Sequence, residues 1–241
     1  MQYSTFAAID IGSYDVILEI FEISKKQGIR SVDKICHRME LGKDTYTLGK
    51  IRPEMEEELC RVLADFVRIM EGYRVDAYRA MASSAISEAA NSLYVLGKIR
   101  QLTGLSVTVL SNSEQRFLGY KALAAMEDNF NKVIEKGTAI LDLDGGSFQI
   151  SLFDKDALVT TQNIRMGSLR VRERLAGIQS ETEHYEEMVE ELIWNEVSSF
   201  KKMYLKDRKI ENIMLIGDVF TDSVYQNIEE KTTKIISREN F

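Results

Sequence analysis

The chain has 241 residues, with 44% hydrophobic and 29% charged side chains. These values fit a folded globular protein of one large or two small domains, and exclude collagen-like, low-complexity and wholly disordered chains. The net charge of −7 argues against general affinity for nucleic acid or anionic membranes. No run of about 18 apolar residues appears, so no membrane span is expected. The start, MQYSTFAAIDIG, enters a strand pattern directly and lacks the layout of a signal peptide. Cys36 and Cys60 have no metal-site spacing and are expected to be reduced core thiols of a cytoplasmic protein.

In chain order, residues 4–10, 16–23 and 29–40 read as three strands of a meander. Residues 41–52 read as a loop. Pro53, the single proline, opens a helix whose early glutamates (Glu54, Glu56, Glu57, Glu58) suit the positive end of its dipole. Leu59, Val62, Leu63, Phe66, Val67 and Met70 form its buried face. A strand at 75–83, a helix at 84–101, a strand at 105–111 and a helix capped by Asn112 or Ser113 follow, through about residue 126. This succession implies βαβ crossovers and a partly parallel sheet. Residues 137–143, 148–154 and 157–164 are then strands. A long acidic helix covers about 181–206, with Leu192, Ile193, Trp194 and Val197 expected to face the core. A strand at 210–217 precedes a polar helical tail.

The opening is repeated. At a shift of 132 residues (142 minus 10), Ala7 falls on Ala139, Ile9 on Leu141, Asp10 on Asp142 and Ile11 on Leu143. Leu18, Ile20 and Phe21 likewise fall on Ile150, Leu152 and Phe153. Such self-similarity implies two related lobes, placed at 1–126 and 127–241. Each copy is an apolar strand, an Asp, a Gly/Ser turn and a return strand. The turns offer Gly12 and Ser13 in the first copy and Gly145, Gly146 and Ser147 in the second. Their backbone N–H groups could cradle phosphate oxygens. Asp10, Asp142 and Asp144 could hold a cation directly or through its waters. Neither His37 nor His184 has the companions of a zinc site.

The strand–Asp–Gly–Ser unit in two copies resembles the actin-like ATPase fold: an α/β architecture of two ribonuclease-H-like lobes with mixed sheets flanked by helices. Within that fold the motif order resembles the exopolyphosphatase and guanosine pentaphosphate phosphohydrolase (Ppx/GppA) family. The matching stretches are FAAIDIGS at 6–13, LG…G…PE at 41–54, ASSAISEAAN at 82–91, TGLSVTVLS at 103–111, ILDLDGGS at 140–147 and RMGSLRVRER at 165–174. The resemblance implies binding of a phosphate chain such as polyphosphate or guanosine pentaphosphate in a cleft between the lobes. It also implies Mg²⁺ and two glutamates that support attack by water, with Arg170 at a family-conforming position.

The departures fall on that chemistry. The first family glutamate, in a run like SGEEEAR, reads as Gln115 in SNSEQRF. The second, in a run like DIGGGSTE, reads as Gln149 in DLDGGSFQ. The family arginine of ATSALREAAN falls on Ser87, and Tyr14 and Asp15 replace the last two residues of DIGSNS. The later Gly-Gly-Thr loop reads IGDVFTDS. An amide cannot act as a general base near neutral pH, and losing a positioned base costs about 10²–10⁴-fold. Glu114, beside Gln115, is a possible substitute. Three functions therefore stand: a binder of phosphate chains with weak or lost hydrolysis, an active Mg²⁺-dependent phosphoanhydride hydrolase, and, last, an ATP-dependent enzyme of the same fold. A homodimer stays open as the assembly.

Overall fold

A computed structural model of the chain describes residues 3–126, 130–179, 184–205 and 208–217, and the backbone of 234–237. The chain divides into two compact units, Met1–Gln115 and Arg116–Phe241.

The first unit is built on a five-stranded sheet of order β3-β2-β1-β4-β5. Its strands are β1 (Ser4–Ile11), β2 (Asp15–Ser24), β3 (Gly28–Arg38), β4 (Ala77–Ala82) and β5 (Val107–Val109). The meander β1–β3 is antiparallel, and β4 and β5 join in parallel, as the strand–helix succession implied. Alternation puts Ala7, Ile9 and Ile11 on one face, where they pack with Leu59, Leu63 and Phe66 of α2 (Pro53–Gly72) and Val95 and Ile99 of α4 (Ser92–Thr103). Asp10 is thereby turned to the opposite face and is exposed.

Two segments of this unit differ from expectation. Residues expected as a loop contain a helix, α1 (Leu41–Leu48). Its sequence is a poor helix former, but tertiary bonds supply what propensity does not. Asp44 accepts from the backbone N–H and Nε of Arg52, and Thr45 donates to the carbonyl of Ala85 at 2.7 Å. Gly49 ends the helix at φ 71°, the left-handed conformation in which glycine carries no penalty. The single helix expected at 84–101 is two, α3 (Ser84–Ser87) and α4. Between them Asn91 bonds both ways to the backbone of Ile51 and donates to Glu56 Oε1 at 2.8 Å. Glu56 is therefore buried. Cys60 is buried, but Cys36 is exposed on β3 and is no core thiol.

The second unit repeats the plan. Its sheet has the order β10-β9-β6-β7-β8, with β6 (Thr138–Leu143), β7 (Phe148–Asp154), β8 (Ala157–Ile164), β9 (Asn212–Ile216) and β10 (Lys234–Ser237). The internal repeat holds to the level of register: Asp10 pairs with Ile17, and Asp142 with Gln149, each 132 residues on (142 minus 10, 149 minus 17). Both meanders also slip at one place, after Ile20 and after Leu152, which are again equivalent. β9 joins β6 in parallel, as β4 joins β1. β10 is antiparallel to β9, whereas β5 is parallel to β4. Strand β10 overturns the helical tail over 234–237; residues 218–233 of that expectation lie outside the described residues.

Helix α5 (Asn112–Met126) and α6 (Phe130–Ile134) cover one face of this sheet through Leu123, Phe130 and Ile134. On the other face Phe200 and Val197 of α8 (Tyr185–Tyr204) pack on Phe148, Ile150 and Leu152. Trp194, expected in the core, is 63% exposed: the helix anchors through Phe200, about a third of a turn around the helix from it. A further helix, α7 (Ser168–Gln179), follows β8.

Candidate functional site

In the first unit the turn after β1 is closed by the Gly12 N–H donating to the Asp15 carbonyl at 2.9 Å. A Cβ on Gly12 would lie 2.9 Å from that same oxygen, so the closure requires glycine. Ser13 is buried, and its hydroxyl lies 2.7 Å from Tyr46 Oη and 3.2 Å from Ser84 Oγ. Tyr46 and Ser84 are themselves 2.8 Å apart. Three hydroxyls from the turn, α1 and α3 thus close a triangle beneath the turn. The Gly42 N–H, donating to the Ser13 carbonyl, ties it further.

The two departures in this turn act together. Asp15 is buried and accepts from Arg38 Nε at 3.3 Å, while the Arg38 guanidinium lies 4.3 Å over the Tyr14 ring. Ser87, at the family's arginine position, is exposed on α3.

Gln115 and Glu114 lie in the first turn of α5. The helix is capped by Ser111, one residue before the expected Asn112 or Ser113. Ser111 Oγ accepts from the Glu114 N–H, and Glu114 Oε2 accepts from the Ser111 N–H at 2.9 Å and from its hydroxyl at 2.7 Å. This is a capping box, spelled S-N-S-E in the sequence. The Ser111 N–H, and then its hydroxyl, hold the Glu114 carboxyl below the usual carboxylate range. Because that pKa is depressed on folding, the contribution is present above the unfolded value and fades as pH falls through the folded one. Ser111→Ala is expected to lower stability by about 1 kcal/mol, read as a shift in denaturant midpoint at pH 7. The loss should shrink at acid pH, where Glu114 is protonated.

In the second unit the turn after β6 is closed by the Asp144 N–H donating to the Ser147 carbonyl at 3.0 Å. Gly145 and Gly146 are buried, and Asp142, Asp144 and Ser147 are half-buried. The start of α7 is pressed against this turn. The Ser168 N–H donates to the Asp144 carbonyl, and the Arg170 N–H to Gly145 at 3.0 Å. Arg170 Nε donates to the Gly146 carbonyl at 2.8 Å. Arg170 therefore grips the turn through its carbonyls.

Register sets Asp142, Gln149 and Asn163 side by side across β6, β7 and β8, on one face of the sheet. Gln149 is 9% exposed. Below this row Ser151 lies 3.1 Å from Thr161 and accepts from Tyr120 Oη at 2.5 Å. Asn163, Tyr46 and Ser84 were not singled out from the sequence. For Asn163 the available signal was alternation along β8, which puts it level with Gln149; Tyr46 and Ser84 are brought to Ser13 only by tertiary folding.

Among the described residues no group of three or more His, Cys, Asp or Glu side chains comes together as a metal site. Asp142 and Asp144 offer the hard oxygen donors that Mg²⁺ prefers. Mg²⁺ is commonly held by one or two carboxylates together with a substrate's phosphates, so this donor set fits it. No helix among the described residues is long and apolar enough to cross a membrane.

Two β-meanders in one register, each with an Asp-bearing Gly/Ser turn and parallel crossover strands, define the actin-like ATPase fold. The chain belongs to the Ppx/GppA phosphatase family, whose model matches residues 19–241. It is 21% identical over 238 residues to the bifunctional 3-dehydroquinate synthase/phosphatase of Fusobacterium nucleatum, covering 93% of this chain and 34% of that protein. It is 25% identical over 144 residues to exopolyphosphatase 1 of Mycobacterium leprae, covering 59% of this chain and 41% of the relative. The chain thus spans less than half the length of either relative. The crystal structure of an exopolyphosphatase from Cytophaga hutchinsonii superimposes with a TM-score of 0.72 at 20% identity, over 89% of this chain and 66% of that one. At that identity the likeness establishes the fold.

Proposed function

We propose that this chain binds the phosphate chain of polyphosphate or of a guanosine pentaphosphate-like ligand, and that its hydrolysis of that ligand is weak or lost. In this reading the turns at Gly12–Ser13 and Gly145–Ser147 line one cleft between lobes divided near residues 126 and 127. Arg170 adds positive charge to the second turn. Asp10, Asp142 and Asp144 are the residues for Mg²⁺, which when bound would neutralise phosphate charge. The net charge of −7 supports a local site rather than a nucleic-acid or membrane surface. A cytoplasmic location belongs to the same reading, and a homodimer is compatible with it.

The observation that carries the reading is Gln149. It is buried beside Asp142 at the end of the glycine turn, an amide where the family pattern calls for a carboxylate base. Gln115 makes the same exchange, and the neighbouring Glu114 carboxylate is engaged in the helix cap. The active-hydrolase reading is favoured by one feature, the Asp142 and Asp144 carboxylates at the second turn. Calorimetric binding and phosphate release, measured on polyphosphate and guanosine pentaphosphate with Mg²⁺, decide between them. Binding with negligible release is the expected result. Turnover of about 1 s⁻¹ or more, within the ordinary range of enzymes, establishes the hydrolase instead. Absence of binding to either compound overturns both.

A further inference from the structure

Two buried polar atoms in the second unit have no hydrogen-bond partner among the described residues and belong to the same region: Arg116 Nε and Asn163 Oδ1. Asn163 stands directly across from Gln149 on β8. Arg116 is placed by α5. The Tyr120 ring meets Phe153 edge-on at 5.3 Å, its hydroxyl reaches Ser151 at 2.5 Å, and Leu123 packs deeper with Phe153 and Ile140. Following α5 toward its start therefore runs from Phe153 past Ser151 toward Gln149. Arg116 lies one helical turn before Tyr120, on the same helix face. Helical side chains lean toward the N-terminus, which directs Arg116 to the level of Gln149 and Asn163. The other such atom, Gln162 Oε1, belongs to a residue paired with Ile150, on the opposite face.

A buried N–H without an acceptor and a buried carbonyl without a donor are each costly to leave unmade. The pair is complementary: a group that offers one acceptor and one donor satisfies both. We infer that Arg116 and Asn163, flanking Gln149, form a site for a terminal phosphoryl group in its singly protonated form. A phosphoryl oxygen accepts from Arg116 Nε, and the P–OH donates to Asn163 Oδ1. A terminal phosphate has its second pKa at about 6, so roughly a quarter of it carries the proton at pH 6.5. The guanidinium supplies positive charge without a metal. The inference rests on the phosphate-chain reading above and assigns its terminal group.

The test is calorimetry on the full chain at pH 6.5, in EDTA, with tripolyphosphate, inorganic phosphate and sulfate as probes. The parent is expected to bind tripolyphosphate without Mg²⁺, and to prefer phosphate to sulfate by about tenfold or more, because sulfate carries no proton to share with Asn163. Arg116→Met and Asn163→Leu should each weaken binding about tenfold or more. Their thermal midpoints without ligand should hold or rise, because an unpaired buried polar group has been replaced by an apolar one. Should Arg116→Met fail to fold, Arg116→Lys keeps the charge but not the Nε–H, and should show the same loss. Parent-like affinity in these variants, or equal binding of sulfate and phosphate, overturns the site while leaving phosphate-chain binding intact. A parent that binds neither tripolyphosphate nor phosphate, with or without Mg²⁺, overturns the functional reading itself.

Discussion

The double variant Gln115→Glu, Gln149→Glu is expected to release phosphate from polyphosphate or guanosine pentaphosphate at least about 10²-fold faster than the parent, in the presence of Mg²⁺. The physical reason is the difference between an amide and a carboxylate of nearly the same shape. Gln can hold a water by hydrogen bonding but cannot take its proton near neutral pH. A carboxylate can, and the surroundings of position 149 tune it. A glutamate there would be buried and beside Asp142, and both burial and a like charge raise a carboxyl pKa. That moves it toward the working pH, where a general base is most effective. Each single exchange should recover less than the pair, because groups that act on one reaction are not additive. A double variant that binds tripolyphosphate like the parent and yet releases no phosphate would overturn the assignment of these two positions.

The second large effect is structural. Gly167→Ala places a Cβ 2.3 Å from the Asp144 carbonyl oxygen and from the Ser147 nitrogen, and 2.5 Å from the Gly145 carbonyl carbon. All three are backbone atoms, so no side chain can swing away. Either the start of α7 lifts off the turn, losing the Ser168 and Arg170 bonds to it, or the turn itself moves. A loss of about 3 kcal/mol or more is expected, read from the denaturant midpoint at unchanged slope, together with loss of phosphate-chain binding. Gly97→Ala is the matched control. Gly97 lies on exposed helix with nothing within 4 Å of an added Cβ. The same chemical change there should raise stability by about 0.5–1 kcal/mol.

Much of the frame was legible because apolar alternation and a duplicated motif are local signals. Ala7, Ile9 and Ile11 against Asp10, and Leu141 and Leu143 against Asp142, announce strand, face and turn together. Helix α1 was not legible, since Asp44–Arg52 and Thr45–Ala85 bonds hold it from outside. The break between α3 and α4 was hidden for a similar reason: Asn91 is occupied by the backbone of Ile51, forty residues away (91 minus 51). Trp194 was misjudged because helical spacing gives a stripe but not which edge of it meets a sheet. At the site, the two turns could be read from spacing, whereas the cap was placed at Asn112 or Ser113 and S-N-S-E, which marks Ser111, was missed. The partnership of Tyr14, Asp15 and Arg38 could not, because it joins a turn to the far end of the next hairpin. Arg116 and Asn163 carry no motif of their own. They stand out only once register and the direction of α5 are known.

The slip shared by the two meanders extends the internal repeat to an irregularity. In the first, Val32 is the extra residue, between the pairs Ile20–Asp33 and Phe21–Ser31. In the second it is Val159, between Leu152–Thr160 and Phe153–Leu158. A bulge bends its strand and strengthens the local twist, so the two sheets share a local distortion as well as a strand order. Hairpin, bulge and Asp-bearing turn thus recur together as one repeated unit. Gln149 sits within this repeated frame in unbroken register with Asp142 and Asn163.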